Sequence, residues 1–127
     1  MASALHAVDP EHAVQQHVCC EHDTIIIGSR SYHNIQRLIL VGAGKAGAPM
    51  LQAASAQFGK HMSAGLVVVK EGHLGAGIRK TGEQEHVGGI ELAQIALVEA
   101  GHPIPDARAI AAAEQIASLL HGLTEHD

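Results

Sequence analysis

The chain has 127 residues, 46% of them apolar, which suits one domain with a buried core and is too little for two ordinary ones. Eight Lys and Arg face thirteen Asp and Glu, a formal charge of −5, and the aromatic residues are Tyr32 and Phe58. Single-stranded nucleic acid is gripped by aromatic stacking over a basic groove, and anionic membranes by basic clusters, so composition argues against both as partners.

In chain order, Ser3 to His22 reads as helix, interrupted near Asp9-Pro10, where Asp9 suits the cap and Pro10 the first helical position. Ala13, Val14, His17 and Val18 fall on one face at helical spacing. No basic segment leads into an apolar stretch here, so no secretory signal is read. Cys19 and Cys20 are adjacent and cannot staple a fold, and a reducing, cytoplasmic setting is expected. The β-branched run Thr24–Ile27, a Gly28-Ser29 turn and Arg30–His33 predict a small hairpin.

Arg37–Val41 is a short apolar run ending in glycines, as a buried parallel strand should. A helix is predicted from Pro49 to about Gly59, with Met50, Ala53, Ala54 and Phe58 inward. Gly65–Lys70 predicts a second buried strand, and Glu71 to Gly89 a long loop. Ile95–Val98 predicts a third strand, closed by Gly101-His102-Pro103. Asp106 then caps a helix whose Ile110, Ala113, Ile116, Ala117 and Leu120 form a stripe, ended by Gly122. None of the apolar runs is long enough to span a bilayer. This order of elements predicts an α/β fold, a mostly parallel sheet with flanking helices. The polar residues Leu123–Asp127 stand where another strand is expected, so the fold reads as truncated.

Gly42-Ala43-Gly44-Lys45-Ala46-Gly47 matches GxGxxG between a predicted strand and a predicted helix. Glycines let backbone approach a ligand, and a helix N-terminus offers unpaired N–H groups and partial positive charge. A dinucleotide pyrophosphate, a small carboxylate or a phosphate would each suit it, and so would a tight connection binding nothing. A dinucleotide site wants an acid at the end of the second strand. Lys70 stands there with Glu71 next, and Lys45 is a cation such a fold does not need. The turn is not a Walker A motif, because its spacing differs and Ala46 follows the lysine. Lys70-Glu71-Gly72-His73 and Gly101–Asp106 follow the other two predicted strands. All three segments thus lie at carboxyl ends of parallel strands, where open α/β sheets bind ligands. His73 and His102 could present imidazoles to an anion, or the glycines and prolines could merely shape loops.

VGAGKAGAPM at Val41–Met50, VVVKEGH at Val67–His73 and EAGHPIPDA at Glu99–Ala107 occur in this order. Together they resemble the N-terminal part of the MOFRL-type glycerate 2-kinases, a family whose members often carry the label hydroxypyruvate reductase. The N-terminal Asp-Pro helix, the Ile25–Gly28 strand and the closing GLTEHD are similar too, so the resemblance covers nearly the whole chain. It implies a Rossmann-like fold with residues 1–36 as a helical lead-in and hairpin and 37–127 as the βαβ core, the rest of that domain and a C-terminal domain being absent. It implies Lys45 as the catalytic residue, holding the glycerate carboxylate or the transferring phosphate. Gly42, Gly44, Lys45, Lys70, His73 and His102 are the expected substrate- and phosphate-binding set.

ATP and Mg2+ are the implied cofactors of the complete enzyme and D-glycerate its substrate, with homo-oligomerisation left open and the fragment alone expected to be inactive. The family usually has Ala at the position of Gly47 and an aromatic at that of Glu71. The alternatives are a nicotinamide-dependent hydroxypyruvate reductase, resting on GxGxxG and Glu71, and a non-enzymatic module that captures a small anion. His17, Cys19, Cys20 and His22 are not expected to bind metal: on a helix, consecutive cysteines point about 100° apart and cannot both meet one tetrahedral ion. His17 and Cys20 are expected under the helix instead. Glu83-Gln84-Glu85-His86 is expected to be a solvated loop.

Overall fold

A computed structural model describes residues 7–73, 86–87, 90–91 and 95–127. The predicted helix over Ser3–His6 and the Glu83–Glu85 acids lie outside these residues. Helix α1 is Pro10–His17, with the Asp9 carboxylate accepting from the Glu11 N–H at 3.1 Å. It stops five residues earlier than expected. Val18 turns extended (φ −131°, ψ 135°), and Val18–Glu21 forms strand β1. The cause is non-local. β1 pairs antiparallel with β2, Thr24–Ile27, setting Cys20 opposite Ile25 and Val18 opposite Ile27 across a His22-Asp23 turn. Strand β3, Arg30–Tyr32, follows the expected Gly28-Ser29 turn, where Gly28 adopts φ +60°. Among the described residues, the lead-in after Asp9 is therefore a short helix and a three-stranded antiparallel meander, where helix through His22 and a hairpin were expected.

The expected α/β architecture follows. Strands β4 (Leu38–Ala43), β5 (Met62–Lys70) and β8 (Ile95–Ala100) form a parallel sheet in the order β4-β5-β8. Each is longer than its apolar run predicted. Within the stretch read as loop, His86–Val87 (β6) pairs antiparallel with Ile90–Glu91 (β7), while residues 74–85 and 88–89 lie outside the described residues. Helix α2, Gly47–Phe58, connects β4 to β5 through a single 3-10 turn at Gly59–His61. Helix α3, Ala107–Leu119, follows β8.

The continuous Val run of β5 is explained by burial on both faces. Val67 and Val69 meet α2 in a core of Ile25, Ala48, Leu51, Ala54, Phe58, Met62 and Ile95, and each contributes about 1.5–3 kcal/mol by leaving water. Leu66 is equally buried but outside that cluster, on the alternate face that α3 packs against. The α2 face differs from expectation by one position: Leu51 is inward and Met50 is 44% exposed. Close packing of Gly47 on Val67 and Val69 sets this phase, because the row 47, 51, 54, 58 then faces the sheet. The phase of α3 is likewise rotated. Ala112 is fully buried while Ile110 and Leu120, from the predicted stripe, are exposed with Ala113 and Ala117. Ala109, Ile116 and Leu119 are half-buried beside Ala112, whose small side chain lets the helix lie close to the sheet.

One position holds the sheet unusually tight. A Cβ on Gly65, in the middle strand, would stand 2.5 Å from the Leu40 carbonyl oxygen, which only a glycine allows. At the amino edge, Arg37 Nε and Nη2 each donate to Asp127 at 2.7 Å, and Nη2 also reaches the Gly122 carbonyl at 3.1 Å. The Gln36 N–H donates to the His126 carbonyl at 2.8 Å. Residues after α3 are thereby fastened beside the start of β4.

Candidate functional site

Three segments meet at the carboxyl ends of the parallel strands. The first is the glycine turn. The ladder runs one residue past β4, with the Gly44 N–H donating to the Val68 carbonyl at 2.9 Å, and Gly47 N–H closes the turn on the Gly44 carbonyl at 3.1 Å. Its glycines have separate reasons. Gly44 adopts φ +129°, which a side chain resists, and a Cβ there would meet nothing within 4 Å. Gly47 is a packing glycine, its Cβ position lying 2.9 Å from Val67 Cγ1 and 3.0 Å from Val69 Cγ1. A Cβ on Gly42 would make ordinary contact, 3.7 Å from Val67.

Helix α2 begins without a side-chain cap: Ala46 holds the N-cap position and makes no such bond. Its first N–H groups and the positive end of its dipole therefore face the turn without a carboxylate or hydroxyl of their own. Lys45 is exposed, and among the described residues no hydrogen bond or ion pair engages its ammonium. An uncapped helix start beside an unengaged lysine is chemistry for an anion.

An open cavity of about 710 Å³ adjoins the turn. Gly42, Gly44, Lys45 and His102 are among its lining residues, and Val14, Val18, Leu40, Val41, Met50 and Phe58 make its wall mostly apolar. The structure thus brings four of the predicted site residues to one cavity. Lys70 and His73 are not among its lining residues; the His73 ring nitrogen Nδ1 lies 3.4 Å from the Glu71 carbonyl instead. Val14 and Val18 were not foreseen at the site, because their approach depends on the meander folding α1 back over α2. A smaller cavity of about 560 Å³ at the amino edge contains Asp23 and His61 but no lysine or arginine, so it lacks the charge an anion requires.

The other two segments are joined. The Asp106 carboxylate caps α3 through the N–H groups of Arg108 (3.0 Å) and Ala109 (3.3 Å) and reaches back to the Gly101 N–H at 3.1 Å. Arg108 folds over it, with Nη2 at 2.7 Å from Asp106 and 2.9 Å from Glu71. Glu71 in turn donates its backbone N–H to the Ala100 carbonyl, and the Gly72 N–H donates to the Glu99 carboxylate at 2.8 Å. The hydrogen bonds from Arg108 hold the Asp106 carboxyl below the usual carboxylate range, and the two carboxylates push the guanidinium pKa up. Arg108 was missed in sequence. The signal available was Asp106-x-Arg108 two residues after an N-cap, together with an acid at Glu71 that needed a partner.

The proposed exclusion of a His17–His22 metal site rested on a helix that is not there. Cys19 and Cys20 lie on β1, where successive side chains point to opposite faces; Cys20 packs on the core, whereas His17 is exposed rather than tucked under the helix. Among the described residues, no group of three or more His, Cys, Asp or Glu is placed to hold a metal ion. No helix among them is long and apolar enough to cross a membrane.

A family model described as a domain of unknown function, DUF4147, matches residues 1–127. The chain belongs to that family. It is 29% identical, over its whole length, to a glycerate 2-kinase of Pyrococcus horikoshii, of which it covers 25%. It is 35% identical over 74% of its length to a D-glycerate 2-kinase of Thermotoga maritima, covering 19% of that protein. A protein of Agrobacterium vitis bearing the name hydroxypyruvate reductase is 34% identical over 72% of the chain, which covers 17% of it.

Two crystal structures share the fold, each 28% identical: the PH0495 protein of P. horikoshii, with a TM-score of 0.77 over 99% of this chain and 25% of that one, and a glycerate kinase of T. maritima, with a TM-score of 0.66 over 99% and 24%. The chain spans a quarter or less of the curated relatives it matches.

Proposed function

We propose that this DUF4147 chain is the N-terminal part of a glycerate 2-kinase, an enzyme that transfers a phosphoryl group from ATP to the 2-hydroxyl of D-glycerate. The observation that carries the reading is Lys45. It sits unengaged on the glycine turn, at the uncapped start of α2, in a chain whose relatives are named for glycerate phosphorylation. Its role is to hold the substrate carboxylate or the phosphoryl oxygens. Phosphoryl transfer asks a protein chiefly for positioning and charge stabilisation, which a lysine and a helix N-terminus supply. His102, at the same cavity, adds a hydrogen-bonding ring.

Among the described residues no group of three or more His, Cys, Asp or Glu is placed to hold a cation, and the glycine turn with Lys45 suits an anion. ATP would contribute the phosphoryl group, and this chain's part is confined to gripping negative charge. Lys70 and His73 do not line the cavity.

The reductase reading is less favoured. The acid a dinucleotide fold sets on the ribose would be Glu71, and Glu71 is taken by Arg108 at 2.9 Å. The complete protein, incubated with Mg-ATP and D-glycerate and separately with NADH and hydroxypyruvate, is expected to yield ADP and 2-phosphoglycerate in the first mixture only. NADH oxidation without phosphorylation would overturn the kinase reading. Anion binding with no turnover in either mixture would favour a non-enzymatic module.

A further inference from the structure

We infer that Arg108 is a positioning residue that keeps the anion cavity habitable for negative charge, an inference that rests on the anion-site reading of Lys45. The observations are geometric. Two carboxylates, Glu71 and Asp106, lie at the same carboxyl edge as the glycine turn, on the loops that leave β5 and β8. Left alone they would give that edge negative charge, which disfavours an anion there and which salt screens. Arg108 contacts both, through one nitrogen at 2.7 and 2.9 Å and through Nε to Asp106 at 3.0 Å.

The same contacts fix geometry. Asp106 holds the Gly101 N–H, and Gly101 immediately precedes His102, the cavity's histidine. Position 101 has no slack, because a Cβ there would lie 2.9 Å from both the Asp106 carboxylate and the Ile104 carbonyl. The Glu71 N–H and the Gly72 N–H tie the β5 loop to β8 at Ala100 and Glu99. Arg108 closes this arrangement from the helix side, making one unit of the two loops.

The pairs are exposed: the Arg108 side chain is 47% accessible and that of Glu71 66%. Exposed pairs contribute little to folding, so the clasp is better suited to setting local charge and loop position than to stability. Neutralising a nearby carboxylate at such a surface changes anion affinity by about threefold to fivefold at low salt.

The test uses the full 127-residue chain with inorganic phosphate as probe, followed through the amide shifts of Gly44 and Lys45. Arg108→Met is expected to weaken phosphate binding by about threefold to fivefold at low salt, to lose that deficit at about 0.5 M salt, and to speed amide exchange at Gly101. Adding Glu71→Gln to it should restore most of the affinity without restoring slow exchange at Gly101. Glu71→Gln alone, which threatens folding least, should bind phosphate at least as tightly as the wild type, and weaker binding would overturn the proposal. If Arg108→Met binds as the wild type does while Lys45→Ala does not bind, the clasp is refuted and the anion site stands. If Lys45→Ala also binds like the wild type, the site reading falls and this inference with it.

Discussion

The two ends of the parallel sheet each carry a cation, and they treat it in opposite ways. At the amino edge Arg37 is engaged within the chain: its Nε and Nη2 hold Asp127, whose side chain is 2% exposed, and Nη2 also reaches the Gly122 carbonyl. At the carboxyl edge Lys45 stands on a glycine turn with no partner among the described residues. A fork that matches a carboxylate suits a permanent internal bond, whereas a point charge on a flexible stem suits a partner that comes and goes. The contrast separates a cation that belongs to the fold from one that awaits something else. Arg108 is intermediate, tied to its own chain yet located at the working edge.

The strongest way to break this comparison is Lys45→Ala in the complete protein. Turnover is expected to fall by about a hundredfold or more, as when a charge-stabilising group is lost, with the melting temperature unchanged. Near-normal turnover would remove Lys45 from the chemistry. Next in size is Gly65→Ala, at the sheet's centre between the two ends. Its Cβ would press on the Leu40 carbonyl at 2.5 Å, and the expected destabilisation is about 1–3 kcal/mol by chemical denaturation, because backbone must move rather than a side-chain tip.

Arg37→Met should lower the melting temperature modestly and leave phosphate binding alone, the reverse of Lys45→Ala. Its pH dependence follows from Asp127, whose carboxyl is held well below the usual range, chiefly by the Arg37 hydrogen bond and then by the Thr124 N–H. A depressed carboxylate stabilises fully above its unfolded pKa of about 4, and that contribution fades as the pH falls toward the native value. Denaturation at pH 7 and pH 3 should therefore show wild type and Arg37→Met converging in acid. Equal gaps at both pH values would count against the assignment. The smallest effect is expected for Gly47→Ala, where two Val methyl groups can yield a few tenths of an ångström; a melting shift of a degree or two, with Lys45-dependent activity kept, would sharpen the view that Gly47 serves packing.

What was legible in the sequence follows from the range of the forces involved. RLILV, GLVVVK and the Ile95 run announce themselves as strands by apolar continuity, although only the middle one, β5, is largely buried and β4, expected to be buried, is half-buried with Val41 exposed. Asp9 and Asp106 announce helix starts by local hydrogen bonding. Val18-Cys19-Cys20-Glu21 continues the helical spacing of Ala13, Val14 and His17 and carries no strand signal of its own; its pairing with Thr24–Ile27 across a turn decides the matter. On α2 Ala53, Ala54 and Phe58 face inward as expected and only Met50 does not, whereas the α3 stripe is rotated, for a related reason. In Ala-rich helices several faces are comparably apolar, and Gly47 on β5 and Ala112 beneath α3 choose among them through steric fit. At the site, the glycine turn and His102 could be read from the letters. The bond between Glu71 and Arg108 could not, since 37 positions separate residues that only the sheet brings together.

Strand β4 has a consequence for handling the molecule. Among the described residues it is hydrogen-bonded to β5 alone, and Val41, on its length, is 40% exposed. A strand with one bare flank is a template on which further backbone can crystallise, whether from the same molecule or from a neighbour. Concentrated preparations of these 127 residues should therefore self-associate through that flank and disperse when a charge is placed at position 41.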